Sequence, residues 1–326
     1  MVSLAHTVQL PVHKWGSCGL PYKPSRTSFY VVGSNRDDDY HATLRALKAR
    51  GRTPRRSLGQ HYMLNSTINE QLVNLAEVKG GDVVLEIGPG TGSLTNILVN
   101  VGAKVIAIEK DPHMAMHVRE RFGDMGHVMV LQEDFTRCHI RSHMESLLEK
   151  TSKEGSGYAK VVSNIPFNIS TEVIKQLLPM GDIFSEVVLL LQDETALRLV
   201  DASLRTSEYR PVNIFVNFYS EPEYKFKVSR TNFFPQPNVD GAIAKFKLKQ
   251  PSDYPQVTST KTFFSMVNAA FNGKRKMLRR SLQHLSTPAE IENALENLGL
   301  LVTSRPEELT LDDFVGLHNF LFKGKN

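Results

Sequence analysis

Short apolar runs alternate with helix-like stretches through the middle of the chain. Val83–Ile87 is the first such run, and it meets Gly88-Pro89-Gly90-Thr91-Gly92 before a helical stretch to about Val101. Lys104–Ile108 is the second and ends at Glu109. Val128–Leu131 is the third, followed by Gln132-Glu133-Asp134. Lys160–Ser163 leads into Asn164-Ile165-Pro166-Phe167, and Glu186–Leu191 is almost purely aliphatic. Strands that are apolar throughout and separated by helices predict a mostly parallel sheet covered on both faces. Asn213–Tyr219, Tyr224–Val228 and Ala242–Leu248 follow without long helices between them. They are expected to extend or close that sheet as strands, with an antiparallel edge.

Gln250-Pro251-Ser252-Asp253-Tyr254-Pro255 reads as a linker, and the pattern beyond it is helical. Thr287-Pro288-Ala289-Glu290 has the form of a capping box with proline at the first helical position. Thr310-Leu311-Asp312-Asp313 opens another helix with acids in its first turn, where the helix dipole favours them. The expected organisation is a catalytic α/β domain over 58–250 and a small helical domain over 251–326.

The pI near 9.1 changes meaning once the charge is located. Residues 1–56 hold ten Lys/Arg against three Asp/Glu, whereas the rest hold 29 against 31. The basic surplus therefore belongs to the N-terminus. Residues 1–36 contain no acid, five serines, two threonines and three prolines, the composition of an organelle transit peptide. Sparse arginine and frequent serine favour a chloroplast over a mitochondrion. Residues 37–57 form a basic arm. One further cluster, Lys274, Arg275, Lys276, Arg279 and Arg280, occupies seven residues and suits a phosphate backbone. No apolar run reaches membrane-spanning length. Cys18 and Cys138 are too few for a disulfide framework or a four-cysteine metal site, so no metal is expected.

The glycine loop after the first strand permits close approach of a nucleotide-like ligand. Glu109 ends the next strand, where a carboxylate accepts both hydroxyls of a ribose. The loop is Gly-x-Gly-x-Gly, not the Gly-x-Gly-x-x-Gly of a dinucleotide enzyme. Asp134 lies at the same sheet edge and could accept from an adenine amine. Asn164-Ile165-Pro166-Phe167 suits the methylation of an exocyclic amine on a flat base. That amine is a poor nucleophile, because its lone pair is delocalised into the ring. The Asn164 side-chain carbonyl and the Ile165 backbone carbonyl can accept its two N–H bonds, Pro166 fixes the backbone, and Phe167 offers a stacking face. In-line transfer from a sulfonium needs alignment more than a strong base.

These residues, taken in order, resemble the ribosomal RNA adenine dimethyltransferase family, and most closely its chloroplast member acting on small-subunit rRNA. The resemblance is carried by Ser57-Leu58-Gly59-Gln60-His61-Tyr62-Met63-Leu64, Leu85–Gly92, Asn164–Ser170, Phe233–Asp240 and Ala270–Lys276. It implies a Rossmann-like, S-adenosylmethionine-dependent methyltransferase. The cofactor would lie against His61 and Met63, over Gly88 and Gly90, with Glu109 on its ribose, Asp134 near its adenine amine and Asn164 between it and the target. The implied reaction converts two adjacent adenosines, in a hairpin near the 3′ end of 16S-type rRNA, to N6,N6-dimethyladenosine by four methyl transfers. Phe234 is expected to stack an extruded adenine. Lys274, Arg275, Lys276, Arg279 and Arg280, with the Arg50–Arg56 segment, are expected to hold RNA phosphates. The family often has Asn-Phe-Leu where this chain has His61-Tyr62-Met63, and Tyr at Phe167.

The implied partner is small-subunit rRNA in an assembly intermediate, met by a monomer in the chloroplast stroma with no membrane contact. The competing class is an RNA-binding ribosome-assembly or organelle transcription factor in which methylation is secondary. A DNA or protein amine methyltransferase and a dehydrogenase explain fewer of the motifs.

Overall fold

The computed structural model describes residues 59–151, 157–273 and 276–323, with Arg45 and Pro54 as isolated positions. The transit-peptide expectation for 1–36, the Arg50–Arg56 segment, and Lys274 and Arg275 lie outside the described residues.

The elements run in chain order as β1 (Tyr62–Met63), α1 (Ser66–Leu75), β2 (Val83–Ile87), α2 (Ser93–Asn100), β3 (Lys104–Ile108) and α3 (Pro112–Phe122). Then come β4 (Val128–Leu131), α4 (Ile140–Thr151), β5 (Ala159–Asn164), α5 (Ser170–Leu177), β6 (Phe184–Gln192) and α6 (Asp193–Val200). α7 (Pro211–Tyr219), β7 (Ser220–Val228), β8 (Phe233–Phe234) and β9 (Gly241–Leu248) complete the sheets. α8 (Thr260–Phe271), α9 (Leu278–Ser281), α10 (Pro288–Asn297) and α11 (Leu311–Phe322) follow.

The main sheet has the order β4-β3-β2-β5-β6-β9-β7. β4 through β6 are parallel, and β9 is antiparallel to both of its neighbours. Strand order reverses between β2 and β5, so a crevice opens there at the carboxyl ends of the strands, the usual ligand position in such sheets. Alternate residues of each strand feed two cores. Val83, Leu85 and Ile87 enter one and Val84 the other; Val187, Leu189 and Leu191 are likewise split from Val188 and Leu190. α1 and α2 close the second core. The first continues without a break through Phe218 and Phe263 to Leu295 and Leu317 of the C-terminal helices. An aromatic seam joins them, with Phe218 and Phe263 centroids 5.3 Å apart and Tyr219 and Tyr254 5.0 Å apart.

Asn213–Tyr219 corrects the expectation of a strand, because it lies in α7. Pro211 opens that helix with a preset φ, and the Asn213 side chain accepts from the Arg210 N–H at 2.9 Å. A short apolar run does not reveal its own period. The 250–255 connection is held down, Gln250 Nε2 donating to the Gly181 carbonyl at 2.9 Å. The capping boxes at Thr287 and Thr310 form as expected. Among the described residues, no helix is long and apolar enough to cross a membrane, and no three His, Cys, Asp or Glu side chains cluster to hold a metal.

Candidate active site

A cavity of about 1140 Å³, counted to its open mouth, occupies the crevice at the strand ends. It is lined by His61, Met63, Gly88, Gly90, Glu109, Asp134 and the whole Asn164–Phe167 segment. The chain therefore brings together every cofactor and catalytic candidate read from the sequence.

The glycine loop turns immediately after β2. Gly90 and Gly92 have φ of +55° and +78°. A Cβ on Gly90 would stand 3.0 Å from the Tyr62 ring, and one on Gly92 would stand 2.7 Å from the Phe122 ring. Both positions require glycine for conformation and for space. Arg121 braces the loop from α3, donating to the Thr91 carbonyl at 3.0 Å.

Glu109 is 7% exposed at the end of β3. Its Oε1 accepts from the Asp111 N–H at 2.8 Å and its Oε2 from the Gly90 N–H at 3.2 Å. These two bonds aim the carboxylate, and each oxygen keeps a lone pair for a vicinal diol. Burial raises its pKa, partly opposed by those backbone donors. Asp134, after β4, is set the other way. The Lys110 ammonium at 2.9 Å holds its carboxyl below the usual range, while Thr136 supplies a backbone and a hydroxyl donor at 3.1 and 2.8 Å. Asp134 thus stays an ionised acceptor near one end of the cavity. Two acceptor carboxylates, a bare glycine turn and a partly apolar wall fit S-adenosylmethionine.

Asn164 ends β5, and Ile165 is buried beneath the turn that follows. The Ser170 hydroxyl donates to the Phe167 carbonyl at 2.9 Å, fixing the turn. The Phe167 ring stacks on His61, with centroids 6.0 Å apart and planes 29° apart, and meets Phe233 edge-on at 6.0 Å. His61 Nδ1–H donates to the Pro235 carbonyl at 2.7 Å. β1 pairs antiparallel with β8, Tyr62 opposite Phe234 and Met63 opposite Phe233. Phe234 is half-buried and packs on Tyr62 and Met114, and is not one of the cavity-lining residues. Lys276, just before α9, and Arg280, within it, are exposed. Arg279 instead pairs with Glu292 at 2.7 Å.

Sequence reasoning missed Asn69, Glu86, Ser93 and Lys110, which also line the cavity. Glu86 carried a signal, as the one charged residue inside the apolar run Val83–Ile87. Asn69 carried none.

Comparison with known proteins agrees with this geometry. The family model described as ribosomal RNA adenine dimethylase matches residues 51–323. A protein of Arabidopsis thaliana named "Ribosomal RNA small subunit methyltransferase, chloroplastic" is 68% identical over 91% of this chain and 87% of its own length. "Ribosomal RNA small subunit methyltransferase A" of Protochlamydia amoebophila is 36% identical over 83% of this chain and 93% of its own. A crystal structure of a dimethyladenosine transferase from Plasmodium falciparum superposes with a TM-score of 0.64 at 26% identity, covering 78% of this chain and 94% of that one. The 23S rRNA methyltransferase ErmE, at 22% identity and a TM-score of 0.59 over 80% of this chain and 99% of its own, shares the fold. The chain belongs to the ribosomal RNA adenine dimethylase family and is an S-adenosylmethionine-dependent methyltransferase.

Proposed function

We propose that this enzyme dimethylates, at N6, two adjacent adenosines in the 3′-terminal hairpin of 16S-type small-subunit rRNA. It would act as a monomer on an assembly intermediate in the chloroplast stroma. The observation that carries the reading is the convergence of Asn164–Phe167 with Glu109, Asp134 and the glycine loop on one cavity. The chloroplast assignment is supported by the 68% identical Arabidopsis relative and by the acid-free, serine-rich leader.

S-adenosylmethionine supplies an electrophilic methyl group on a sulfonium. Glu109 accepts the ribose hydroxyls, and Asp134 accepts from the adenine amine. Met63 and His61 close the pocket over Gly88 and Gly90. Asn164 and the Ile165 carbonyl accept the two N–H bonds of the target amine, drawing its nitrogen towards a tetrahedral shape and freeing the lone pair. Phe167, braced by His61 and Phe233, gives the base its stacking face. Such alignment is worth several kcal/mol of barrier without a strong base. The proton released after transfer passes to water. Lys276 and Arg280, with Lys274 and Arg275, hold the RNA backbone; Arg279, paired with Glu292, and Phe234, packed on Tyr62 and Met114, support the surfaces behind these contacts.

The test is methyl transfer to undermethylated small subunits with labelled S-adenosylmethionine, read by nuclease digestion and mass spectrometry of the nucleosides. N6,N6-dimethyladenosine from wild type and little from Asn164→Ala is expected. Subunit binding without any methyl transfer would favour an assembly factor instead.

A further inference from the structure

β1 and β8 meet over two residues, Tyr62 opposite Phe234 and Met63 opposite Phe233. So short a ribbon does not hold its own register, and a slip of one residue would turn one strand's side chains to the wrong face. The faces matter, because Met63 and Phe233 enter the second core, whereas Tyr62 and Phe234 pack with Met114. In this register Phe233 meets the Phe167 ring edge-on, and His61, next to Tyr62, stacks on it.

Two buried amides hold that register from beyond the ends of the strands. Asn65 and Asn232 are each 4% exposed, and Asn65 Nδ2 donates to Asn232 Oδ1 at 3.1 Å, across 167 positions of sequence. Their outer partners fix which way each amide points. Asn65 Oδ1 accepts from the Thr67 N–H at 3.1 Å as the cap of α1, and Asn232 Nδ2 donates to the Ser229 carbonyl at 3.0 Å. An N–H needs an oxygen and a carbonyl needs a hydrogen, so the inner ends are left as one donor and one acceptor. The Leu64 N–H donates to the Asn232 carbonyl at 2.8 Å beside them. The first turn of α1 is thereby joined to the turn before β8. A slipped register would leave buried amide atoms without partners, which is costly.

We propose that Asn65 and Asn232 are a positioning pair for the aromatic wall, and that the second methyl transfer to each adenosine depends on them more than the first. The inference rests on the dimethylation reading above. Each transfer forms a bond from N6 to the methyl carbon, breaks the S–C bond and releases one amine proton. The first methyl acceptor is an NH2 group, held by two N–H bonds to Asn164 and the Ile165 carbonyl. The second is an NHCH3 group, with one N–H left to hold it. Its alignment falls more on stacking against Phe167, and alignment is what such a transfer needs. A wall free to shift therefore penalises the second step more than the first.

The experiment is methyl transfer to undermethylated small subunits by the full chain. N6-methyladenosine and N6,N6-dimethyladenosine are counted at equal total methyl incorporation, so that a smaller active fraction does not change their ratio. Asn65→Ser keeps an oxygen to cap α1 and loses the donor to Asn232. Asn232→Asp keeps the acceptor for Asn65 and sets an oxygen against the Ser229 carbonyl. Each should raise the ratio of monomethyl to dimethyl product about tenfold and change the Kd of S-adenosylhomocysteine less than about threefold. Asn65→Ser decides the matter if Asn232→Asp does not melt cooperatively. A wild-type ratio in a folded variant, however slow it is, overturns the proposal. So does a raised ratio that returns to the wild-type value at saturating S-adenosylmethionine, since the fault would then lie in cofactor binding. Wild type that forms no dimethyladenosine overturns the dimethylation reading instead.

Discussion

Glu86 gives a quantitative test of the pocket's electrostatics. Burial pushes its carboxyl from the ordinary 4.5 to about 8; the Thr95 hydrogen bond opposes the rise and the nearby Glu109 carboxylate adds to it. A carboxyl with a raised folded value binds more protons when folded than when unfolded between those two pH values. Its stabilising contribution is therefore complete below about pH 4.5 and is lost as pH rises through about 8. At about 1.4 kcal/mol per pKa unit, the full gap bounds the loss at about 5 kcal/mol. The part falling between pH 6 and 9 is about 2–3 kcal/mol. Glu86→Gln removes the titration and keeps an acceptor for Thr95. Urea unfolding of both proteins from pH 6 to 9, with no ligand, should show wild type losing about 2–3 kcal/mol more than the variant across that range. Groups not coupled to Glu86 are common to both proteins and cancel in the difference. Parallel curves would refute the reasoning, since Glu86 would then be ionised in the folded protein at pH 6.

Two further outcomes follow from the geometry. Gly92→Ala places a Cβ 2.7 Å from the Phe122 ring at a φ of +78°. It should cost about 2 kcal/mol and lower Tm by several degrees, and an unchanged calorimetric Tm would mean that α3 yields at no cost. Replacing the exposed Lys276 and Arg280 together by glutamate should weaken rRNA binding and flatten its salt dependence. The expected loss is roughly 0.7–0.9 in log–log slope per phosphate contact, measured by filter binding between 50 and 200 mM salt. An unchanged slope would place the RNA backbone elsewhere.

The parallel half of the fold was legible because its strands are buried on both faces and so read as unbroken apolar runs. β2, β3 and β4 fall on the residues expected, and β5 and β6 extend theirs by one or two residues at each end. α7 was not legible in the same way. Its run of Val, Ile and Phe has strand-like composition, and the proline and capping asparagine that make it helical are local signals of a turn as much as of a helix. The chemistry followed a similar division. Gly88–Gly92, Glu109, Asp134 and Asn164 each sit where a strand stops, so a strand boundary found in sequence also finds the residue. Asn69 and Lys110 gain their meaning from partners on other elements, Ser93 and Asp134, which no spacing announces.

The aromatic wall beside the proposed base site carries this furthest. Phe167 is held between His61 and Phe233, and His61 is tied to the Pro235 carbonyl across 174 positions of sequence. Tyr62 and Phe234 face each other across the β1–β8 pair, which draws Phe234 against Tyr62 and Met114. Three segments distant in the chain thus fix one aromatic wall, and its geometry exists only after the sheet has closed. A change in the Phe233–Asp240 loop therefore acts on Phe167 through His61. It should alter base orientation, and so kcat, more than cofactor affinity, because Glu109 and Asp134 are held by β3, β4 and the glycine loop on the other side of the crevice, and only His61 and Met63 of the proposed cofactor contacts lie on this wall.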